Sequence, residues 1–192
     1  MILSSQYIDL IQEELKQLHI PDSPDNLYAP ISYFLNLKGK KIRPILTLLS
    51  AELFNGNINH AKHAALAVEI FHNFTLIHDD IMDEAPLRRG KPTVHEKWNT
   101  NIAILSGDVL MIKAYEQLAL CPPSALPSLI SLFNRTAIEV CEGQQMDMDF
   151  ETRDHVAHDE YIQMIKLKTS VLLGCALEMG AILCNTSLKN RS

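Results

Sequence analysis

The sequence lacks the features that mark membrane-spanning, secreted and nucleic-acid-binding proteins. No uninterrupted apolar run is long enough to cross a bilayer, and the best candidate, VLLGCALEMGAILC, is short and contains Glu178. The N-terminal stretch has no basic start followed by an apolar segment, so we expect no signal peptide. The net charge of -6 argues against a nucleic-acid partner, although Lys and Arg can still converge locally on a small anion.

The sequence also lacks paired cysteines. Its four cysteines are Cys121, Cys141, Cys175 and Cys184, and no CxxC spacing occurs among them. Cysteines spaced in this way are typical of small core residues in a reducing compartment. We therefore expect a cytoplasmic protein without a disulfide framework.

Strand alternation, internal repeats and flexible linkers are absent too, and helical periodicity dominates the chain. We expect one domain over residues 1–192, an all-α bundle of largely antiparallel helices. Predicted helices run from Ser4 or Ser5 to about His19, Leu27 to Leu37, Pro44 to Phe54, Asn59 to Glu84, Ile102 to Leu120, Leu126 to about Asp149 and about Asp159 to Cys184. Loop signals occupy 85–99. On the longest helix the predicted core positions include Ala64, Ala67, Val68, Phe71, Thr75 and Met82.

An aspartate-rich stretch, LIHDDIMDEAPLRRGKP, gives the first functional signal. If the helix continues through it, Asp79 and Asp83 share a face, with Asp80 alongside. A solvated acidic helix face is one interpretation. The other is a Mg²⁺ site, because Mg²⁺ prefers oxygen ligands and is commonly held by one or two carboxylates plus substrate phosphates.

Three basic clusters accompany the aspartates. Arg88 and Arg89 follow them directly, KGKKIRP begins at Lys38, and KLKTS begins at Lys166. Each cluster alone is typical of a solvated surface, and exposed ion pairs stabilise a fold by only about 0–1 kcal/mol. Together with one aspartate-rich stretch they indicate a polyphosphate site, because Arg binds phosphate oxygens in a bidentate manner.

These stretches resemble the trans-isoprenyl diphosphate synthases, also called the polyprenyl synthetase family. GKKIRP is similar to the family's G-K-x-x-R-P element, and EIFHNFTLIHDDIMDEAPLRRGKPT to its first aspartate-rich region. Farther along, LSGDVL, EGQQMDM and IKLKTSVLL are similar to the G-D-x-L, G-Q-x-x-D and K-T elements. The resemblance implies the isoprenoid synthase fold, with helices around a central cavity, and a usually dimeric or larger homo-oligomer.

The resemblance also implies roles for individual residues. Mg²⁺, or Mn²⁺ in its place, would be held by Asp79 and Asp83 with support from Asp80, and Asp147 would assist. An allylic diphosphate would be bound by Arg88, Lys168 and Thr169, with Gln144 in the cleft. Isopentenyl diphosphate would be bound by Lys40, Arg43, His72 and Arg89. The implied reaction is a condensation of the two substrates, begun by metal-assisted ionisation of the allylic diphosphate.

Product length is implied by the residues just before the first aspartate. In the family these residues form the bottom of the pocket that holds the growing prenyl chain. In this sequence they are Phe74 and Thr75. A bulky ring at Phe74 favours a C15 or C20 product, as in farnesyl and geranylgeranyl diphosphate synthases. The alternative is that Phe74 is ordinary helix packing.

One element of the family pattern is missing. Members carry a second aspartate-rich motif after the K-T element, whereas Glu178 is the only acidic residue after Lys168. The chain therefore resembles an N-terminal portion without the later helices, and we expect it to be inactive alone, with at most weak Mg²⁺-dependent diphosphate binding. Two alternatives stay open, a non-catalytic partner subunit of a complete synthase and a terpene-cyclase-like enzyme.

Overall fold

Helices account for most of the chain, as the sequence predicts. The computed structural model describes residues 2–186, with side chains from residue 5 onward. In this described part the α-helices are α1 Ile2–Gln17, α2 Asp25–Leu35, α3 Ile42–Leu53, α4 Ile58–Met82, α5 Val94–Lys97, α6 Thr100–Ala119, α7 Leu126–Glu151, α8 His158–Ile165 and α9 Val171–Leu183. Two-residue strands, β1 Leu87–Arg88 and β2 Lys91–Pro92, form an antiparallel ladder. The all-α prediction is confirmed.

The element boundaries correct the sequence prediction in three places. α1 begins at Ile2, so Ser4 and Ser5 lie inside the helix and do not cap it. The predicted loop 85–99 contains the β-ladder and α5, because two-residue strands are too short to show a periodic pattern. The predicted last helix is interrupted between α8 and α9 by a π-helical turn, Lys166–Ser170. Single π turns often occur at functional sites.

Contacts divide the chain into two compact units, and the expectation of one domain stays a prediction. The first unit comprises the residues up to Ile45 together with Leu66–Ala119. In it, Ser106 of α6 donates a 3.0 Å hydrogen bond to the Leu27 carbonyl of α2. Large, fully buried side chains of this unit are Ile11, Ile31, Phe34, Ile70, Phe71, Ile77, Leu110 and Leu118.

The second unit comprises Leu46–Ala65 and the described residues from Leu120 onward. Ser50 of α3 donates a 2.6 Å hydrogen bond to the Leu177 carbonyl of α9. Gly143 of α7 lies against the π-helical turn, where a Cβ at this position would stand 2.7 Å from the carbonyl carbon of Leu167. Glycine is required here because the two backbones approach so closely. The unit's core includes Leu48, Leu129, Phe133, Leu172 and Met179.

α4 carries the aspartates, and its burial follows the predicted stripe with two exceptions. Thr75 was predicted as core but is only partly buried. Ala64, Ala67, Val68 and Phe71 are buried as expected. Met82 was predicted as core, but 46% of its surface is exposed. The prediction was wrong because the helix ends at Met82, so that its last turn is no longer covered on the side predicted to be apolar.

The cysteines follow the sequence prediction in part. Cys121 and Cys175 are buried, and all four cysteines are free. Cys141 is exposed on α7, so it is not the core residue that the sequence indicates.

Candidate diphosphate-binding site

The aspartate cluster, defined as Asp79, Asp80 and Asp83, lies at the C-terminal end of α4. The helical spacing extends one residue beyond the helix, because the Asp83 amide donates a 2.9 Å hydrogen bond to the Asp79 carbonyl. The chain then turns at Glu84, whose φ is 48°. The three carboxylates differ in exposure: 1% of the Asp80 side chain is exposed, 19% of Asp79, and Asp83 lies at the surface.

Asp80 is paired with Arg88 from strand β1. The Arg88 Nε lies 2.7 and 2.9 Å from the two carboxylate oxygens of Asp80, and Nη2 lies 3.4 Å from Asp79 Oδ2. Burial raises the pKa of Asp80, and the hydrogen bond from Arg88 opposes that rise. Burial alone would lower the pKa of Arg88, but the hydrogen bond and charge of Asp80, then the charges of Asp79 and Asp83, raise it. The structure thus brings the three aspartates and Arg88 into one electrostatic cluster.

The β-hairpin directs the two neighbouring arginines to different places. Its turn is Arg89–Gly90, with φ values of 54° and 75°. Positive φ at both central residues is typical of the type I′ turns that join two-stranded hairpins. Arg88 points to the aspartate cluster, whereas Arg89 donates a 3.3 Å hydrogen bond to the Leu37 carbonyl. The hairpin is held by Tyr33, which donates a 2.8 Å hydrogen bond to the Pro92 carbonyl.

A basic cavity of about 550 Å³ lies within the first unit. Its lining includes Lys40, Arg43, His72 and Arg89, the four residues that the resemblance connects with isopentenyl diphosphate. Gly39 forms part of the same wall, and a Cβ there would stand 2.6 Å from Arg89 Nη1. The four residues come from three separate segments of the sequence, and the structure places all of them around one cavity.

His72 is a neutral hydrogen-bond acceptor in this cavity. Arg43 Nη1 lies 3.1 Å from His72 Nε2 and donates the bond, because a guanidinium has no acceptor atom. The proton of the neutral ring therefore sits on Nδ1. Burial, followed by the charges of Arg43, Arg89, Arg88 and Lys41, lowers the pKa of His72 to about 3. Burial also lowers the pKa of Arg43, which the charge of Glu69 opposes.

The second unit contains the remaining predicted residues. Lys168 Nζ lies 2.5 Å from Asp147 Oδ2, so the π-helical turn is joined to α7 by an ion pair. Thr169 is exposed on the same turn. Gln144 follows Gly143 on α7, and its Nε2 is buried without a hydrogen-bond partner among the described residues. An amide donor left in this way is available to a ligand oxygen.

The predicted chain-length residues lie on α4 between His72 and the aspartate cluster. The Phe74 ring packs tilted against Phe71 at 5.5 Å and edge-on against His78 at 4.6 Å, measured between ring centroids. The Thr75 hydroxyl donates a 2.9 Å hydrogen bond to the His72 carbonyl. Phe74 is thus fixed by neighbours on its own helix.

Sequence reasoning missed a buried ion pair in the wall of the basic cavity. Lys41 Nζ lies 2.8 Å from Glu69 Oε1, and both residues line the cavity. A usable signal was present: Glu69 is the only acidic residue between Ile58 and Leu76 of α4, and it directly follows the apolar run AALAV. A lone buried carboxylate requires a partner.

Comparisons with known proteins identify the family of the chain. The family profile described as polyprenyl synthetase matches residues 24–192. A geranylgeranyl pyrophosphate synthase of Geoglobus acetivorans is 44% identical over 176 residues, which cover 91% of this chain and 55% of the relative. A geranylgeranyl diphosphate synthase of Methanosarcina mazei is 43% identical over 185 residues, covering 95% and 56%. A crystal structure of a geranylgeranyl pyrophosphate synthase superimposes with a TM-score of 0.94 at 52% identity, covering 98% of this chain and 57% of that one.

The chain belongs to the polyprenyl synthetase family, and it has the isoprenoid synthase fold of its solved neighbours. It spans little more than half the length of the curated relatives that it matches. Within residues 2–186, no helix combines the length and the apolar character that a membrane span requires.

Proposed function

We propose that this chain provides diphosphate-binding residues for a prenyltransferase that joins isopentenyl diphosphate to an allylic diphosphate. The observation that carries the proposal is the basic cavity, where Lys40, Arg43 and Arg89 converge on one space beside His72. A diphosphate needs several fixed cationic donors, and guanidinium groups match its oxygens in pairs. The names of the relatives support the same reaction class.

The aspartate cluster fits a Mg²⁺ ion that is shared with a substrate. Among the described residues, no three His, Cys, Asp or Glu side chains converge as a complete metal site. Asp79 and Asp83 instead supply two accessible carboxylates one helical turn apart, which suits an ion whose other ligands are phosphate oxygens and water. We infer that these two hold Mg²⁺, or Mn²⁺ in its place, while Asp80 supports them through Arg88. The bound ion would stabilise negative charge on the departing diphosphate.

The remaining residues have complementary tasks in the reaction. Ionisation of the allylic C–O bond leaves a carbocation and a diphosphate anion. Arg88 of the first unit would stabilise that anion by charge and hydrogen bonding. Lys168 and Thr169, in the second unit, offer a cation and a hydroxyl of the kind that bind diphosphate oxygens. Lys40, Arg43 and Arg89 would hold isopentenyl diphosphate by its diphosphate, so that its double bond can attack the carbocation. The new C–C bond leaves a second carbocation, which loses a proton to form the double bond of the product. Asp147 would fix Lys168, and Gln144 would offer its unused amide donor.

The rival reaction class is a terpene cyclase, which ionises an allylic diphosphate but needs no second diphosphate site. None of the three aspartates of the aspartate cluster lines the basic cavity. The four predicted residues of that cavity would have no role in a cyclase. A non-catalytic partner subunit would likewise need no such residues. We therefore favour the condensing enzyme, and we expect the isolated chain itself to show little or no turnover.

Calorimetric titration tests the proposal directly. The sequence alone predicts at most weak, Mg²⁺-dependent diphosphate binding. The basic cavity is built from cationic side chains, so we expect the purified chain to bind isopentenyl diphosphate weakly even without Mg²⁺. Binding of farnesyl thiodiphosphate, a non-ionising allylic analogue, should be weak and should strengthen with Mg²⁺. Asp79→Asn should abolish the Mg²⁺ effect, and Asp22→Asn, at an exposed aspartate outside the site, should leave it intact. Absence of any diphosphate binding would refute the proposal.

Phe74→Ala tests the chain-length assignment. Removing the ring should open space on α4 and favour longer prenyl groups. We expect the ratio of affinities for geranylgeranyl and farnesyl thiodiphosphate to rise severalfold in this variant, and any products formed to be longer. Phe150→Ala, which truncates an aromatic ring on α7, is the matched control and should leave the ratio unchanged. An unaltered ratio in Phe74→Ala would assign the ring to packing alone.

A further inference from the structure

Lys41, within the basic segment Lys38–Arg43, has an unusual backbone conformation. Lys41 has a φ of 51°, in the left-handed region that side-chain-bearing residues rarely occupy. Its carbonyl accepts a 3.3 Å hydrogen bond from the Ile45 amide, so the turn leads directly into the first turn of α3. Lys40 and Arg43, on either side of this turn, line the basic cavity.

The Lys41 side chain ends in a buried ion pair. Its Nζ lies 2.8 Å from Glu69 Oε1, and only 5% and 4% of the two side chains are exposed. Asn73 Nδ2 donates to the same carboxylate oxygen at 3.2 Å and to the Glu69 carbonyl at 2.6 Å. The Glu69 carboxylate is therefore held by one donor from the basic segment and one from its own helix.

This arrangement has no clear advantage for stability alone. Taking two charges out of water carries a desolvation penalty that their attraction often fails to exceed, and well-packed apolar residues of similar volume frequently do as well. A left-handed backbone at a non-glycine residue adds strain. Strained residues persist only where the surrounding structure fixes them, and they cluster at binding and active sites.

The site in question is that of the diphosphate-binding side chains. Glu69 lies three residues before His72, one turn away on α4, and His72 accepts the hydrogen bond from Arg43. The ion pair and this hydrogen bond thus tie the same short segment to α4 at two neighbouring points. Releasing the first point would free the backbone that carries Lys40 and Arg43.

We propose that the Lys41–Glu69 ion pair is a positioning device, which holds the segment 38–43 so that Lys40 and Arg43 face the diphosphate in the basic cavity. The part concerning the diphosphate rests on the proposed function. The part concerning the segment's geometry stands on the ion pair itself, and the two can be measured separately.

The decisive variant is Lys41→Met/Glu69→Met, which replaces both charges by unbranched apolar side chains of similar length. Asn73 keeps its bond to the Glu69 main-chain carbonyl. Because the desolvation penalty and the attraction disappear together, we expect the unfolding equilibrium constant in urea to stay within about threefold of the wild-type value. Lys41→Met alone should unfold far more readily, since it leaves a buried carboxylate without its cation.

Two readouts follow in the folded double variant. Amide hydrogen exchange of residues 38–43, measured by mass spectrometry, should accelerate about tenfold or more because the segment loses its anchor. The Kd for isopentenyl diphosphate, measured by calorimetry, should rise about tenfold. Lys40→Met should weaken binding without accelerating exchange, because it removes a cavity charge and not the anchor. Glu13→Met/Lys16→Met, at an exposed ion pair on α1, should change neither quantity.

Each outcome has a distinct meaning. Wild-type exchange in the folded double variant would overturn the inference and reduce the ion pair to core packing. Fast exchange with unchanged affinity would overturn the link to binding. Fast exchange in a protein whose wild type binds no diphosphate would refute the proposed function and leave the anchoring role standing. If the double variant does not fold, Glu69→Gln removes the negative charge, and with it the ion pair, while it keeps the shape of the side chain; unchanged exchange and affinity there would equally overturn the proposal that the ion pair holds the segment.

Discussion

Arg88→Met is expected to lower the free energy of unfolding by about 3–5 kcal/mol, the usual loss when one partner of a buried ion pair is removed. Only 1% of the Asp80 side chain is exposed, and both of its oxygens lie within 2.9 Å of Arg88 Nε. Methionine would fill a similar volume but would leave this carboxylate desolvated without its cation. Urea titration followed by circular dichroism measures the difference.

The neighbouring arginine provides a matched control. Arg89 is exposed and donates a 3.3 Å hydrogen bond to a main-chain carbonyl, so Arg89→Met should cost no more than about 1 kcal/mol. The two variants should also differ in binding: Arg89→Met should weaken isopentenyl diphosphate binding while the protein stays folded. Equal stability losses in the two variants would contradict the assignment of Arg88 to the aspartate cluster.

Most of the fold could be predicted from the sequence because helical periodicity is a local property. Pro, Gly and Asn end the apolar stripes, and the predicted helices overlap the observed ones from α1 to α7 except the short α5, which lies in the predicted loop. The π-helical turn at Lys166–Ser170 was missed because its cause lies elsewhere in the chain. The backbone of the turn packs closely against Gly143 of α7. The residue pattern of the segment 166–170 alone cannot reveal that neighbour.

The candidate site, like the fold, could be predicted from the sequence only in part. Motif resemblance located Lys40, Arg43, His72 and Arg89, and the structure gathers them around one cavity, although their roles stay a prediction. The different directions of Arg88 and Arg89 depend on a turn with positive φ at Arg89 and Gly90, and nothing in LRRGKPT alone requires that turn type. The Lys41–Glu69 ion pair escaped notice because its partners are 28 residues apart.

His72 should make the stability of the protein depend on pH in a range where most carboxylates do not yet titrate. Its pKa is about 3 in the folded chain, because burial and then the charges of Arg43, Arg89, Arg88 and Lys41 disfavour the imidazolium, and it is 6.5 ordinarily. Above pH 6.5 the ring is neutral in both states, so the stability is fully present. As the pH falls from 6.5 towards 3, the unfolded chain takes up a proton that the folded chain does not. The free energy of unfolding therefore falls with falling pH, by about 1.4 kcal/mol per pH unit and by about 2 kcal/mol between pH 7.5 and pH 5.

The variant that isolates this effect is His72→Gln. Its amide oxygen can accept the hydrogen bond from Arg43, and the amide does not titrate. Urea titrations at pH 7.5 and pH 5 should show the loss of about 2 kcal/mol in the wild type to be largely absent from the variant. His60→Gln, at an exposed histidine near the start of α4, should retain the wild-type loss. If His72→Gln and the wild type lost equal stability between pH 7.5 and pH 5, His72 would have to be protonated at pH 5 in the folded chain as well as in the unfolded chain. Arg43 could not donate a hydrogen bond to a protonated ring.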